Sequence, residues 1–138
     1  MVVYHRLMEV DYLAPVALTQ QVLPRMIERC SGHIAVVSSG AGKIGVPLRT
    51  GYCGAKHAVV GYFDALRAEV EIAYGIRVRV ILPGAIHTPI AVSALSGDGT
   101  PRGQSDAHID TGMDVNDAAQ RMLAGLIEGR REIVVAEG

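Results

Sequence analysis

"GHIAVVSSGAGKIGVPLRTGYCGAKHAVVGYFDALRAEV", residues 32–70, is the stretch on which the fold turns. It opens on the short apolar run His33–Val37, passes through a loop, and closes on a helix whose Ala55, Val59, Phe63, Leu66 and Val70 fall on one stripe. The loop holds Gly40-x-Gly42-x-x-Gly45, the spacing of a dinucleotide-binding turn, and Gly42-Lys43, which resembles the tail of a phosphate loop. Neither reading holds. A dinucleotide turn needs its third glycine inside a helix beginning at the motif, where free N–H groups hold a pyrophosphate, and here Pro47 and Gly51 interrupt any such helix. The acidic residue that should end a second strand would be Asp64, in the middle of the strong helix. Lys43 is followed by Ile44 where a phosphate loop has serine or threonine. Gly40, Gly42 and Gly45 are expected instead to let the chain turn tightly out of a strand and to keep bulk away from a neighbouring site.

Outward from this stretch the chain alternates. Residues 5–29 read as a helix, with Leu13, Val16, Ala17, Leu23, Met26 and Ile27 at three- and four-residue steps, bent or delayed by Pro15 and Pro24. Gly75 stops the helix over 51–74, and Ile76–Leu82 is a strand ended by Pro83-Gly84. Arg77 and Arg79 alternate with Val78 and Val80, so one face of that strand is expected to be less buried than a central strand's. Residues 89–112 form a long Gly/Ser/Asp/Thr-rich stretch of the kind that carries function or moves. Asp114 caps a helix over 115–128, with Ala118, Ala119, Met122, Leu123, Leu126 and Ile127 facing inward and Gly129 closing it; Glu132–Ala136 is a last strand. The order αβαβαβ predicts an α/β fold with three parallel strands and helices on both faces. Both outer strands would be edges, and a chain that opens on a helix reads as part of a larger sheet.

Composition narrows the function. The 138 residues are 49% hydrophobic and only 4% aromatic, so aliphatic side chains fill the interior. A net charge of −1 without a basic run argues against nucleic acid. Ile34–Val37 and Val78–Leu82 are too short to cross a bilayer, and Met1–Asp11 carries Arg6, Glu9 and Asp11 where a leader needs apolar residues. Cys30 and Cys53 lack CxxC spacing and suit reduced thiols in a cytoplasmic-type compartment. His5, His33, His57, His87 and His108 are scattered, so no metal site is expected.

Chemistry concentrates at Ser39, Tyr52 and Lys56. Tyr52 and Lys56 are four apart on one helix and share a face. A phenol exchanges protons poorly at neutral pH, and a cation beside it favours the phenolate, so such a pair can work as a general acid or base. Ser39 ends the first strand at the carboxyl edge of the sheet, where open α/β folds bind ligands. Its hydroxyl could hold a carbonyl oxygen near Tyr52. YxxxK alone is a common accident.

In its context it is not. The stretch 32–70 resembles the short-chain dehydrogenase/reductase family, in its single-domain Tyr-x-x-x-Lys branch: the strand, the Ser-Ser pair, the loop glycine and proline, and the thirteen-residue step from Ser39 to Tyr52 all match. "LPGAIHTP" (82–89) resembles that family's Pro-Gly turn, and "VDYLAPVALTQQVLPRM" (10–26) the helix before its catalytic strand. The resemblance implies a Rossmann-like sheet and an NAD- or NADP-dependent oxidoreductase acting on a small-molecule alcohol or carbonyl substrate. Tyr52 would exchange the proton, Lys56 would tune Tyr52 and hold the nicotinamide ribose, and Ser39 would orient the carbonyl. Pro83, Gly84, Ile86 (through its backbone) and Thr88 (through its hydroxyl) would meet the nicotinamide, with 89–112 as the substrate loop and helices 5–29 and 51–74 as the interface of a homodimer or homotetramer. Asp11 stands where the family usually has an asparagine, forty-one residues before the tyrosine; its charge would act on Lys56 and partly offset the lysine's pull on Tyr52. The family's Thr-Gly-x-x-x-Gly-x-Gly turn, its Asn-Ala-Gly segment and the residue that selects NAD or NADP have no counterpart here. The chain therefore reads as the catalytic half of such an enzyme, or as a non-catalytic scaffold or dimerisation module derived from one.

Overall fold

The computed structural model of the protein describes residues 1–137. Three strands, β1 (Gly32–Val37), β2 (Ile76–Pro83) and β3 (Glu132–Val135), form one parallel sheet in the order β1-β2-β3. Parallel neighbours need a long crossover. Helix α3 (Thr50–Tyr74) supplies the first and α6 (Val115–Ile127) the second. The sheet is α/β as predicted, and both outer strands are edges.

Side chains alternate along β2, so each face has its own core. Val78, Val80 and Leu82 pack with Val59, Phe63, Leu66 and Val70 of α3 on one side. Ile81 packs with Ile133, Val135 and Ala118 on the other, where Met122 and Leu126 of α6 close over them. The stripe expected on the long helix is buried throughout. Gly75, at φ +67, ends α3 in the left-handed conformation that glycine adopts at no steric cost. Asp114 accepts from the Asn116 and Asp117 N–H groups and starts α6.

Three expectations change. First, β2 is the central strand. Arg77 is exposed, but Arg79 is buried because its guanidinium lies 3.2 Å from the Glu71 carboxylate of α3 and also donates to the Val78 carbonyl. Charged spacing mimicked a half-exposed strand. Second, Ala119, Leu123 and Ile127 of α6 face outward, with Leu123 59% and Ile127 86% exposed. The three-stranded sheet is too narrow to cover more than one stripe of that helix. Third, residues 89–112 are not irregular throughout: they contain α4 (Ile90–Ser93), α5 (Ala107–Asp110) and a Leu95–Pro101 bridge.

The first helical segment runs from Val2 to Glu28 as α1 (Val2–Met8), a π-helical turn over Glu9–Leu13, and α2 (Ala14–Glu28). Pro15 has no N–H with which to close an ordinary turn onto the carbonyl four residues back. The helix widens just before it, and the Ala14 N–H reaches the Glu9 carbonyl, five residues back. Tyr12, Leu23, Met26 and Ile27 of this segment pack on the same core as α3.

Candidate active site

Parallel strands deliver their carboxyl ends to one edge of the sheet, and Ser39 and Pro83 meet there. Ser38 and Ser39 divide the work. Buried Ser38 donates its hydroxyl to the Lys56 carbonyl at 3.1 Å, tying the end of β1 to α3. Ser39 caps a single 3-10 turn, Gly40–Gly42, by accepting the Ala41 N–H at 3.1 Å, and its own proton finds no acceptor within the described residues. Sequence reasoning missed the part played by Ser38, although the doubled serine was the available signal.

The glycines behave differently from expectation. None of Gly40, Gly42 and Gly45 has a positive φ, so none is there for a strained turn. A methyl group on Gly42 would lie 2.7 Å from Ser38 Oγ and 2.8 Å from the Lys56 carbonyl oxygen, so the loop can press against α3 only without a side chain. Gly40 and Gly45 have room for one. Lys43 is paired with Glu132 at 2.6 Å, turned to the last strand.

Helix α3 presents Tyr52 in its first turn and Lys56 one turn on, with the ammonium 5.5 Å from the centre of the phenol ring. The same ammonium lies 3.1 Å from Asp11 Oδ1, and the two side chains are only 12% and 18% exposed. Asp11 sits at the middle of the π-helical turn, which Pro15 imposes, so a local backbone defect carries the carboxylate toward Lys56. A further contact, Tyr4 hydroxyl to Thr50 Oγ1 at 2.9 Å, holds the two helices together near this point. Among the described residues the Tyr52 hydroxyl has no hydrogen-bond partner.

Gly84 donates its N–H to Val135 at 2.9 Å, and a methyl group there would lie 3.1 Å from Ala136 Cβ. Ile86 pairs with Met113 in a parallel bridge made by the His87 and Met113 N–H groups. That bridge uses neither the N–H nor the C=O of Ile86, and both lack partners within the described residues. The half-buried Thr88 hydroxyl also lacks one. The structure brings Tyr52, Lys56 and Asp11 together, while Ser39, Ile86 and Thr88 follow the carboxyl ends of β1 and β2 with polar groups free among the described residues. That set suits a neutral ligand rich in hydroxyl and amide groups. No cluster of three or more His, Cys, Asp and Glu able to hold a metal occurs among the described residues, and Cys30 and Cys53 are free thiols.

Comparison with known proteins identifies the family and the fold. A family model described as short chain dehydrogenase matches residues 2–98. "Dehydrogenase/reductase SDR family member 7B" of Danio rerio is 42% identical over 134 residues, covering 97% of this chain and 43% of that protein. "Dehydrogenase/reductase SDR family member 7" of Homo sapiens is 38% identical over 135 residues, covering 98% of this chain and 40% of that protein. The chain thus spans about two fifths of the length of the curated relatives it matches. Among solved structures, a short-chain dehydrogenase from Sphingobium yanoikuyae in complex with NADPH superposes with a TM-score of 0.80 at 23% identity, covering 95% of this chain and 48% of that one. One from Burkholderia phymatum in complex with NAD gives 0.78 at 19% identity, covering 93% and 51%. These two structural likenesses establish the Rossmann-type fold. No helix among the described residues is long and apolar enough to cross a membrane.

Proposed function

This chain belongs to the short-chain dehydrogenase family, and from that premise we propose that it carries the catalytic part of an oxidoreductase using NAD or NADP on a small-molecule alcohol or carbonyl compound. The observation that supports this most is the Lys56 ammonium 5.5 Å from the centre of the Tyr52 ring, on a helix tied to the end of β1 by the Ser38–Lys56 hydrogen bond. The bound nicotinamide would supply the hydride acceptor or donor. Tyr52 gives its phenolic proton to the substrate oxygen in reduction and takes it back in oxidation. Ser39 donates a hydrogen bond from its hydroxyl to the same oxygen and fixes its direction. Lys56 holds the nicotinamide ribose with the ammonium protons that Asp11 does not occupy, and Asp11 fixes that ammonium while partly cancelling its charge. The Ile86 peptide unit and the Thr88 hydroxyl receive the carboxamide end, with Pro83 and Gly84 shaping the turn beneath it. Residues 89–112 act as the substrate loop of this partial Rossmann-like domain.

The test starts with binding. The purified chain is titrated with NADH and with NADPH while nicotinamide fluorescence is followed, and circular dichroism confirms that it is folded. A saturable change is expected; a folded chain with none removes the cofactor-binding role from this chain. Where turnover is measurable, Tyr52→Phe is expected to lower kcat by about 10²–10⁴ with binding retained, whereas Lys56→Met weakens both.

A second reading, an assembly module without catalysis, is favoured by one observation: large apolar side chains stand outside the core, including Leu18 of α2 and Val134 of β3. It would use the helices over 5–29 and 51–74 to form a homodimer or homotetramer. Solution mass by light scattering separates the two, because assembly without cofactor binding supports this reading alone. The two free thiols suit a reducing compartment such as the cytoplasm.

A further inference from the structure

Between Ile86 and Met113, the two halves of the bridge, the chain owes little of its shape to apolar burial, Ala91 being the one residue of 89–112 that is buried. Among the described residues one long-range polar contact crosses from this segment to the main body. Arg49, the residue immediately before α3 and three before Tyr52, places Nη2 2.7 Å from Asp106 Oδ2. The same oxygen takes Arg102 Nη1 at 3.2 Å, and the other, Oδ1, takes the His108 N–H at 3.1 Å. Asp106 thus caps α5, braces its own loop and reaches the start of the helix that carries Tyr52. At its far tip the loop passes α1, where a methyl group on Gly99 would lie 3.9 Å from Val3.

We propose that residues 89–112 are a lid, hinged at the Ile86–Met113 bridge and latched shut across the carboxyl edge of the sheet by the Arg49–Asp106 ion pair. The latch is electrostatic and largely at the surface, so it opens often and is weakened by salt. It rests on the catalytic reading only for what the lid covers. The latch itself is a property of the folded chain, and none of the rates below needs nicotinamide.

Trypsin has one site in the lid, Arg102-Gly103, and its cleavage follows the population of the open form when reclosing is fast. Asp106→Asn keeps a side chain able to cap α5 while removing the charge. Arg49→Gln removes the other partner, whose side chain makes no other polar contact among the described residues. Each variant is expected to speed cutting at Arg102 about two- to five-fold in low salt, and salt near 1 M should bring the unaltered chain close to the variants' rate. The double variant is expected to be no faster than Asp106→Asn alone, because both changes break one contact. An Arg49→Gln rate equal to the unaltered chain's, or a double variant whose effects multiply, overturns the latch. Hydrogen exchange gives a second reading: Ser96, Gly99 and Arg102 amides should exchange faster in Arg49→Gln while β2 amides keep their rates. If Asp106→Asn unfolds the chain, seen as cuts inside α3, Arg49→Gln alone decides.

Discussion

Residues 32–83 and residues 84–113 adjoin along one edge of the sheet and are held by different forces. In the first, β1, α3 and β2 enclose Phe63, Val59 and Val78, each at most 1% exposed, and the charged Arg79 enters only with Glu71 beside it. In the second, order comes from the carboxylates Asp98 and Asp106, from short backbone turns and from a bridge at the hinge. Burial strength grows with apolar area and is not screened by salt, whereas charge and exposed hydrogen bonds give a marginal, adjustable order. A rigid frame that presents Tyr52 and Lys56 beside a segment that opens and closes is what a site admitting a ligand requires.

The contrast can be broken most forcefully at Phe63. Phe63→Ala should cost about 3–5 kcal/mol in urea unfolding, and a cost near zero would mean that α3 does not hold the frame. Glu71→Gln leaves the buried Arg79 guanidinium without its charge partner and should cost about 2–3 kcal/mol, less than a fully enclosed pair because Glu71 is 20% exposed. Arg79→Met removes both charge and need, and should cost less than Glu71→Gln; the reverse order would contradict the burial of Arg79. Gly42→Ala should cost about 1–3 kcal/mol through its clash with Ser38 and Lys56, measured by thermal unfolding. Leu123→Gln on the outer face of α6 should change stability by less than about 0.5 kcal/mol.

The smallest effect belongs to the loop and to acid. The His108 N–H, then Arg102 and Arg49, hold the Asp106 carboxyl below the usual aspartate range, and the Thr100 N–H and hydroxyl do the same for Asp98. Because the folded values lie below the ordinary 3.8, the order these carboxylates confer is complete above that pH and fades as pH falls through the lowered values. Amide exchange between about pH 5 and about pH 2, corrected for intrinsic rates, should therefore loosen the loop before β2. Carboxyl-carbon NMR titration would report both aspartates directly.

Legibility followed the same division. The α3 stripe, Gly75, the Asp114 cap and the alternation of helices and strands could be read because each depends on local spacing and residue type alone. Ser39, Tyr52 and Lys56 were legible as types at a separation, and Asp11 as a substitution at a matched distance. Its direct contact with Lys56 was not, since it depends on a widened helical turn that periodicity treats as a bend at Pro15. Arg79 was misread because a guanidinium's partner lay on another element, and Leu123 because the width of a sheet is not written in any one helix. The Arg49–Asp106 contact, fifty-seven residues apart, had no local signature at all.

The carboxylate beside Lys56 has an electrical consequence for whatever enters. The two opposite charges 3.1 Å apart carry no net charge and act as a dipole, so the pull of this spot on an anion is short-ranged and weaker than that of a lone ammonium. Under the function proposed above, a pyrophosphate that accompanies the ring and sugar would find its counter-charge elsewhere than at this neutral pair. Selection at this spot thus leans on shape and hydrogen-bond direction more than on attraction over distance.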